Sequence, residues 1–297
     1  QFIIWCWWLL ASVQAMDLFL GGLDCIKLKD KAEKGAEALE SLIAGYRGMV
    51  MKHHRYWFGI PYARAGRWQS PQLLNLDTDG DRDATKWGQM CPQLIPVERK
   101  SSLWTLFQTK DATEGEDCLN LHIYAPRAKF IKEPLPVIVF IYGGFLVQGS
   151  ASMPLYDPRH AVGLASVHEL EQQAIWVVPN YRHGPFGFGL HPKHGGNHGL
   201  QDVLAALQWT QAHIHHWGGD AGRVTVAGFS AGSCLVNWLQ FLEAERRLRE
   251  GVDYRPLFHR AYLSSGNVWT LPLRTQEEAQ WDTFGMAVAT GYEDEDH

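Results

Sequence analysis

The stretch Arg223-Val-Thr-Val-Ala-Gly-Phe-Ser-Ala-Gly-Ser-Cys-Leu-Val-Asn-Trp238 constrains this chain more than any other. Arg223 to Ala227 alternates and carries β-branched residues, the pattern of a short strand. From Ala231 onward Leu235, Trp238, Leu239 and Leu242 recur at helical spacing. Between the two lies Gly228-Phe-Ser-Ala-Gly232, a G-x-S-x-G with strand before it and helix after it. So sharp a bend forces its central residue into a sparsely populated backbone region and leaves no room for side chains two positions away. The stretch therefore predicts a strand–elbow–helix that holds the Ser230 hydroxyl at a helix N-terminus. Unpaired N–H groups and the helix dipole there favour a developing negative charge. A serine so placed is a candidate nucleophile.

With 297 residues, 46 % hydrophobic and 20 % charged, the chain has room for one large or two ordinary domains. Its net charge of −5, with no basic block, points to neither nucleic acid nor an anionic membrane surface, and no nucleic-acid partner is expected. Phe2 to Leu10 is an apolar run ending in Ala11-Ser-Val-Gln-Ala15. It is too short for a spanning helix, which needs ~20 residues. Val13-x-Ala15 fits a small-residue cleavage site, so residues 1–15 are expected to be a secretory signal peptide and the protein to be extracellular. A buried strand is the competing reading of that run. No basic residues precede it and it starts at Gln1, so the natural chain is expected to begin earlier.

Of the five cysteines, Cys6 would leave with the signal and Cys25 has no evident partner. In an oxidising compartment a Cys91–Cys118 bridge would close a loop of about 28 residues, contributing roughly 3–4 kcal/mol. Cys234, on the inner side of the helix after the elbow, is expected to be an inert core thiol. There is no CxxC or HExxH, and neither a metal nor a cofactor is expected. His213, His215 and His216 fall where a helix C-terminus suits them, and His160 and His168 on a solvated helix face.

In chain order, residues 22–56 read as an N-terminal embellishment with a helical patch from Lys27 to Leu42. Glu116 to Pro126 alternates Leu119, Leu121 and Ile123, as a half-buried strand should. Pro136–Ile141 and Ala174–Val178 are near-continuous apolar runs, suited to strands covered on both faces. Arg260–Leu263 reads as a further strand. Leu200, Val203, Leu204, Leu207 and Ile214 form a helical stripe stopped by Gly218-Gly219, and Thr275–Thr290 reads as a last helix. This rhythm predicts an α/β fold, a mostly parallel twisted sheet with helices on both faces and right-handed crossovers. Ligands in such sheets bind at strand C-terminal ends, where Ser230 falls. Tyr142-Gly-Gly-Phe-Leu-Val-Gln-Gly-Ser150 follows another strand, and its glycines let backbone N–H groups approach a ligand. Such a loop supplies the second half of an oxyanion hole.

Jointly these motifs resemble the type-B carboxylesterase/lipase family, which includes cholinesterases and fungal extracellular lipases. The carriers are Phe58-Gly-Ile-Pro-Tyr-Ala63, Glu116-Asp-Cys-Leu119, Ile141-Tyr-Gly-Gly144 and Asn180-Tyr-Arg182. Gly196-Asn-His-Gly-Leu-Gln-Asp202, Trp217-Gly-Gly-Asp220, Gly228-Phe-Ser-Ala-Gly232 and Leu257-Phe-His-Arg-Ala261 with Ser265-Gly266 complete them. The resemblance implies an α/β-hydrolase fold, with residues 16–297 as its N-terminal portion. It implies Ser230 as nucleophile and the N–H groups of Gly144, Phe145 and Ala231 as oxyanion hole. It also implies a Cys91–Cys118 disulfide and an Arg67–Glu116 ion pair, costly to break from one side if buried.

Two departures from the family stand out. Phe145 replaces the usual third glycine of the oxyanion loop, and Phe229 replaces the usual glutamate before the serine. Loss of that carboxylate implies neutral carboxylic esters or lipids as substrates. The family places its triad acid and histidine far downstream of the serine, so the chain is expected to be a fragment, inactive alone. The competing reading is a non-catalytic, cholinesterase-like adhesion or recognition protein. Nothing in the sequence fixes the oligomeric state.

Overall fold

In the computed structural model of the protein, the residues described are 39–76, 78–93, 112–167, 173–191, 193–271 and 275–278. All of them fall in one unit that begins at Leu39. The expected signal peptide, Cys6, Cys25, His168 and most of the Thr275–Thr290 helix lie outside the described residues.

Eleven strands are described: β1 (Leu39–Ile43), β2 (Tyr46–Val50), β3 (His54–Pro61), β4 (Ala63–Arg64), β5 (Gln72–Leu73), β6 (Arg82–Asp83), β7 (Asn120–Pro126), β8 (Leu135–Ile141), β9 (Ile175–Pro179), β10 (Gly219–Phe229) and β11 (Arg260–Ser264). Four α-helices accompany them: α1 (Arg159–Val167), α2 (Gly184–Phe188), α3 (His198–His213) and α4 (Ala231–Glu250). The main sheet runs β1-β2-β3-β7-β9-β8-β10-β11, with β6 beside β2. Its first half is antiparallel through β7–β9. From β9 through β8 and β10 to β11 every pairing is parallel, as the strand–helix–strand rhythm predicts.

The N-terminal segment differs from its sequence reading. Leu39 to Ile43 is a strand rather than the end of a helical patch. Ala44 and Gly45 take φ of 49° and 78°, so Ile43 pairs with Tyr46 across a two-residue hairpin. Positive φ at both central residues suits the twist of the flanking strands. From Leu39 on, the segment is thus part of the main sheet and not an embellishment.

Strand β7 is buried at every position instead of on alternate ones. It sits between β3 and β9, with α1 packed against both β3 and β7. By contrast β8 alternates, burying Leu135, Val137, Val139 and Ile141 and half-covering Pro136, Ile138 and Phe140, although its sequence is apolar throughout. Helix α3 buries Val203 and Leu207, passes into a 3-10 turn at Ile214–Trp217, and stops where Gly218 takes φ 89°. That stop is the glycine exit the sequence predicts. Among the described residues no helix is long and apolar enough to cross a membrane.

Candidate active site

Strand register sets the site. Gly228 of β10 lies opposite Ile141 of β8 on one side and Leu263 of β11 on the other. The residues that follow all three strands therefore emerge together at one edge of the sheet.

Ser230 takes φ 54° and ψ −122° between β10 and α4. A non-glycine residue there stores of order 1–3 kcal/mol of strain, which its surroundings must hold. They do so through backbone: the Ser230 N–H donates to the Ser264 carbonyl at 2.7 Å. The Ser230 carbonyl accepts from the N–H groups of Ser233 at 2.9 Å and Cys234 at 3.2 Å. Both flanking glycines are required by space. A Cβ on Gly228 would stand 2.6 Å from the Gly232 carbonyl, and one on Gly232 would stand 2.2 Å from that of Ile141. Gly266 closes the other side, where a Cβ would meet the Ser230 carbonyl at 2.3 Å.

The glycine loop after β8 packs directly on the elbow. A Cβ on Gly143 would lie 2.8 Å from the Ser230 Cβ and 3.4 Å from the Phe229 ring. Gly144 has φ 128°, and its Cβ position is filled by the Gln148 carbonyl at 1.9 Å. Phe145 and Leu146 then occupy the left-handed region in succession, at φ 59° and 64°. Their turn is closed by Val147 and Gln148 N–H groups donating to the Gly144 carbonyl, each at 3.1 Å, and by the Gly184 N–H donating to Leu146 at 2.6 Å. The amides of Gly144, Phe145 and Ala231 find no acceptor among the described residues.

The loop is anchored at its far end as well. The Gln93 side chain accepts from the Gly149 N–H at 2.7 Å and donates to its carbonyl at 3.0 Å. Gln93 follows Cys91, which is joined to Cys118 across 27 residues. Beneath the loop Tyr142 stacks on Tyr181 at 4.8 Å and on Tyr156 at 5.6 Å. The Asn180 Oδ1 accepts from the Ala151 N–H at 2.8 Å, and its carbonyl from the Tyr62 hydroxyl at 2.7 Å.

Among the described residues no histidine hydrogen-bonds the Ser230 hydroxyl. The half-buried Ser230 hydroxyl has no hydrogen-bond partner among the described residues. His183 is sealed beside Tyr181 at 4.5 Å, and burial pushes its imidazole down to about 3. His213 packs on Trp209 at 5.1 Å, and His215 and His216 lie 4.1 Å apart. Among the described residues no three His, Cys, Asp or Glu side chains are arranged to hold a metal. His160 is exposed, and Cys234 is a buried free thiol that burial holds protonated.

Arg67 and Glu116 pair, with Nε donating to Oε2 at 3.1 Å, and Arg67 holds the carboxyl below its usual range. Both side chains are 43 % exposed, so this pair is not the costly buried one. The buried pair is Arg182–Asp202, 6 % and 0 % exposed, which sequence reasoning did not join. Its signal was an aspartate within the apolar stripe of α3. The guanidinium also reaches the Gly66 carbonyl at 3.4 Å, tying β9 and α3 to the segment that carries Arg67.

The carboxylesterase family model matches residues 42–297. The chain is 35 % identical over 231 residues to para-nitrobenzyl esterase of Bacillus subtilis (strain 168), covering 75 % of this chain and 42 % of that protein. It is 36 % identical over 238 residues to the crystal protein of Dictyostelium discoideum, covering 79 % and 38 %. Over 249 residues it is likewise 35 % identical to cholinesterase of Mus musculus, covering 79 % and 37 %. A solved PNB esterase structure superposes with a TM-score of 0.64 at 32 % identity, covering 83 % of this chain and 47 % of that one. The chain thus spans about two-fifths of the length of these curated relatives. With the α/β-hydrolase sheet, the serine elbow and the glycine loop in place, the chain belongs to the carboxylesterase family.

Proposed function

We propose that this chain is the N-terminal part of a secreted serine hydrolase of neutral carboxylic esters or lipids, with residues 1–15 as its leader. Ser230 Oγ attacks the ester carbonyl, and the N–H groups of Gly144, Phe145 and Ala231 receive the oxyanion. The alcohol leaves, an acyl-enzyme remains, and water releases the acid. The base and acid that activate the hydroxyl belong, in this reading, to sequence that follows the serine in family order. Without them the hydroxyl is a poor nucleophile, and the segment alone is expected to be inactive.

The observation that carries the reading is the pairing of a strained Ser230, φ 54°, with a loop whose Gly143 would put a Cβ 2.8 Å from the serine Cβ. Strain of this kind persists where a side chain must be held out for chemistry. Half-buried Phe229, in place of a carboxylate, supports neutral substrates. The test is fluorophosphonate labelling of the complete protein and its Ser230→Ala variant. Serine-dependent labelling, with neutral esters turned over faster than matched choline esters, is the expected result.

A binding role without catalysis is favoured by one observation, the lack of a partner for the Ser230 hydroxyl among the described residues. It predicts no Ser230-dependent labelling of the complete protein.

A further inference from the structure

Positions 143, 144 and 145 of the glycine loop face different surroundings. The Cβ direction of Gly143 is occupied by Ser230 and Phe229, and that of Gly144 by the Gln148 carbonyl. Neither position can carry a side chain. Phe145 does carry one, 45 % exposed, on a backbone at φ 59° that glycine would adopt without strain. Val147, two residues on, is 47 % exposed. An apolar side chain therefore stands on the loop at position 145, directly after two positions that have no room for one. The Phe229 ring lies beside Gly143 and packs against the core.

Covalent geometry limits how far the Phe145 side chain lies from the reaction. An oxyanion donor sits 2.7–3.1 Å from the oxygen it stabilises, so the Cβ of that residue lies within about 5.5 Å of the oxygen. The phenyl ring of Phe145 begins at that Cβ. The acyl substituent stays attached to the reacting carbon through both oxyanion-forming steps, whereas the alcohol is present only in the first. A bulky group fixed at the oxyanion donor therefore bears on the acyl chain throughout.

Resting on the esterase reading above, we infer that Phe145 is the residue that limits acyl length, making this a hydrolase of short-acyl neutral esters. The backbone N–H of Phe145 stabilises charge, and its ring excludes long chains from the space beside Ser230. The strain at φ 59° is retained because the ring is what confers the selectivity.

The experiment uses the complete protein, its Phe145→Gly variant and its Phe145→Ala variant. Each is assayed for kcat/KM on p-nitrophenyl acetate, butyrate and octanoate, and separately on acetates of increasing alcohol length. Wild type is expected to favour acetate. Removal of the ring is expected to raise the octanoate-to-acetate ratio by ~10-fold or more, the scale by which a pocket discriminates apolar groups. The alcohol series should shift far less. Fluorophosphonate labelling at Ser230 reports on each variant independently of the ratio. An unchanged ratio in a variant that still labels overturns the inference and leaves the esterase reading standing. A shift confined to the alcohol series also overturns it. Absence of Ser230-dependent labelling in wild type removes the esterase reading, and the inference with it.

Discussion

Asp202 accepts three hydrogen bonds from a single residue, Arg182: from Nη2 at 2.7 Å, from Nε at 2.8 Å and from the backbone N–H at 3.1 Å. Burial pushes the Asp202 carboxyl up, and these bonds with the guanidinium charge oppose it. Removing one partner strands the other in the interior. Asp202→Ala or Arg182→Met is therefore expected to cost about 3–5 kcal/mol in urea unfolding of the complete protein. The half-exposed Arg67–Glu116 pair is expected to contribute less than about 1 kcal/mol when Glu116→Gln is made. Equal losses at the two sites would defeat the burial argument.

Gly232→Ala is expected to reach or exceed the ~3 kcal/mol upper range of overpacking, because the new methyl meets two carbonyls of the β8 end. Those contacts, 2.2 Å to Ile141 and 2.4 Å to Tyr142, are backbone and cannot rotate away. Gly195→Ala is the control. Its φ of 73° strains an alanine, but nothing lies within 4 Å, so only about 1 kcal/mol should be lost. Thermal unfolding of the two variants separates crowding from conformational strain.

Acid sensitivity should come from buried imidazoles. Burial pushes His122 and His183 down to about 3, and the Gly59 N–H donates to His122 Nδ1 at 3.4 Å, which requires that nitrogen unprotonated. Their folded-state pKa lies below the unfolded value, so the unfolded chain binds more protons at intermediate pH. The stability they support is complete above about pH 6.5 and declines as pH falls towards 3, by up to ~1.4 kcal/mol per pH unit for each. Urea midpoints from pH 7.5 to 4.5 should follow that course, and His122→Phe should flatten it. An unaltered slope in the variant would assign the acid response to other groups.

Loss of the Cys91–Cys118 bridge is expected to lower stability by roughly 3–4 kcal/mol through the freed unfolded chain. Because Gln93 holds both polar groups of Gly149, the glycine loop should loosen as well. Cys91→Ala/Cys118→Ala should thus lower the melting temperature and slow fluorophosphonate labelling together. A drop in stability with no change in labelling would uncouple the loop from the bridge.

The elbow was legible because its physics is local: two glycines with no room for a Cβ, a strand before and a helix after. The Gly218 stop of α3 was legible for the same reason. Strand β1 was misread because Lys and Glu between Lys27 and Leu42 suggested a helix, whereas pairing with β2 decides the conformation at Leu39–Ile43. The full burial of β7 depends on β3, β9 and α1, none adjacent to it in sequence. The exposure of Arg67–Glu116 and the burial of Arg182–Asp202 are likewise set by packing between distant segments. Consecutive left-handed residues at Phe145 and Leu146 run against local preference, and they are held by bonds to the Gly144 carbonyl together with the distant closure at Gly184.

Direct pairing of β8 with β10 has a further consequence for how such a site can diversify. A slip of one residue between those strands would slide Ser230 about 3.3 Å past the glycine loop, more than a hydrogen-bonded geometry tolerates. The Ser230 elbow and the glycine loop are aligned by main-chain rungs, not by the side chains that line the opening. Substitutions at that opening can therefore redraw what the site admits while its alignment stays inherited from the ladder.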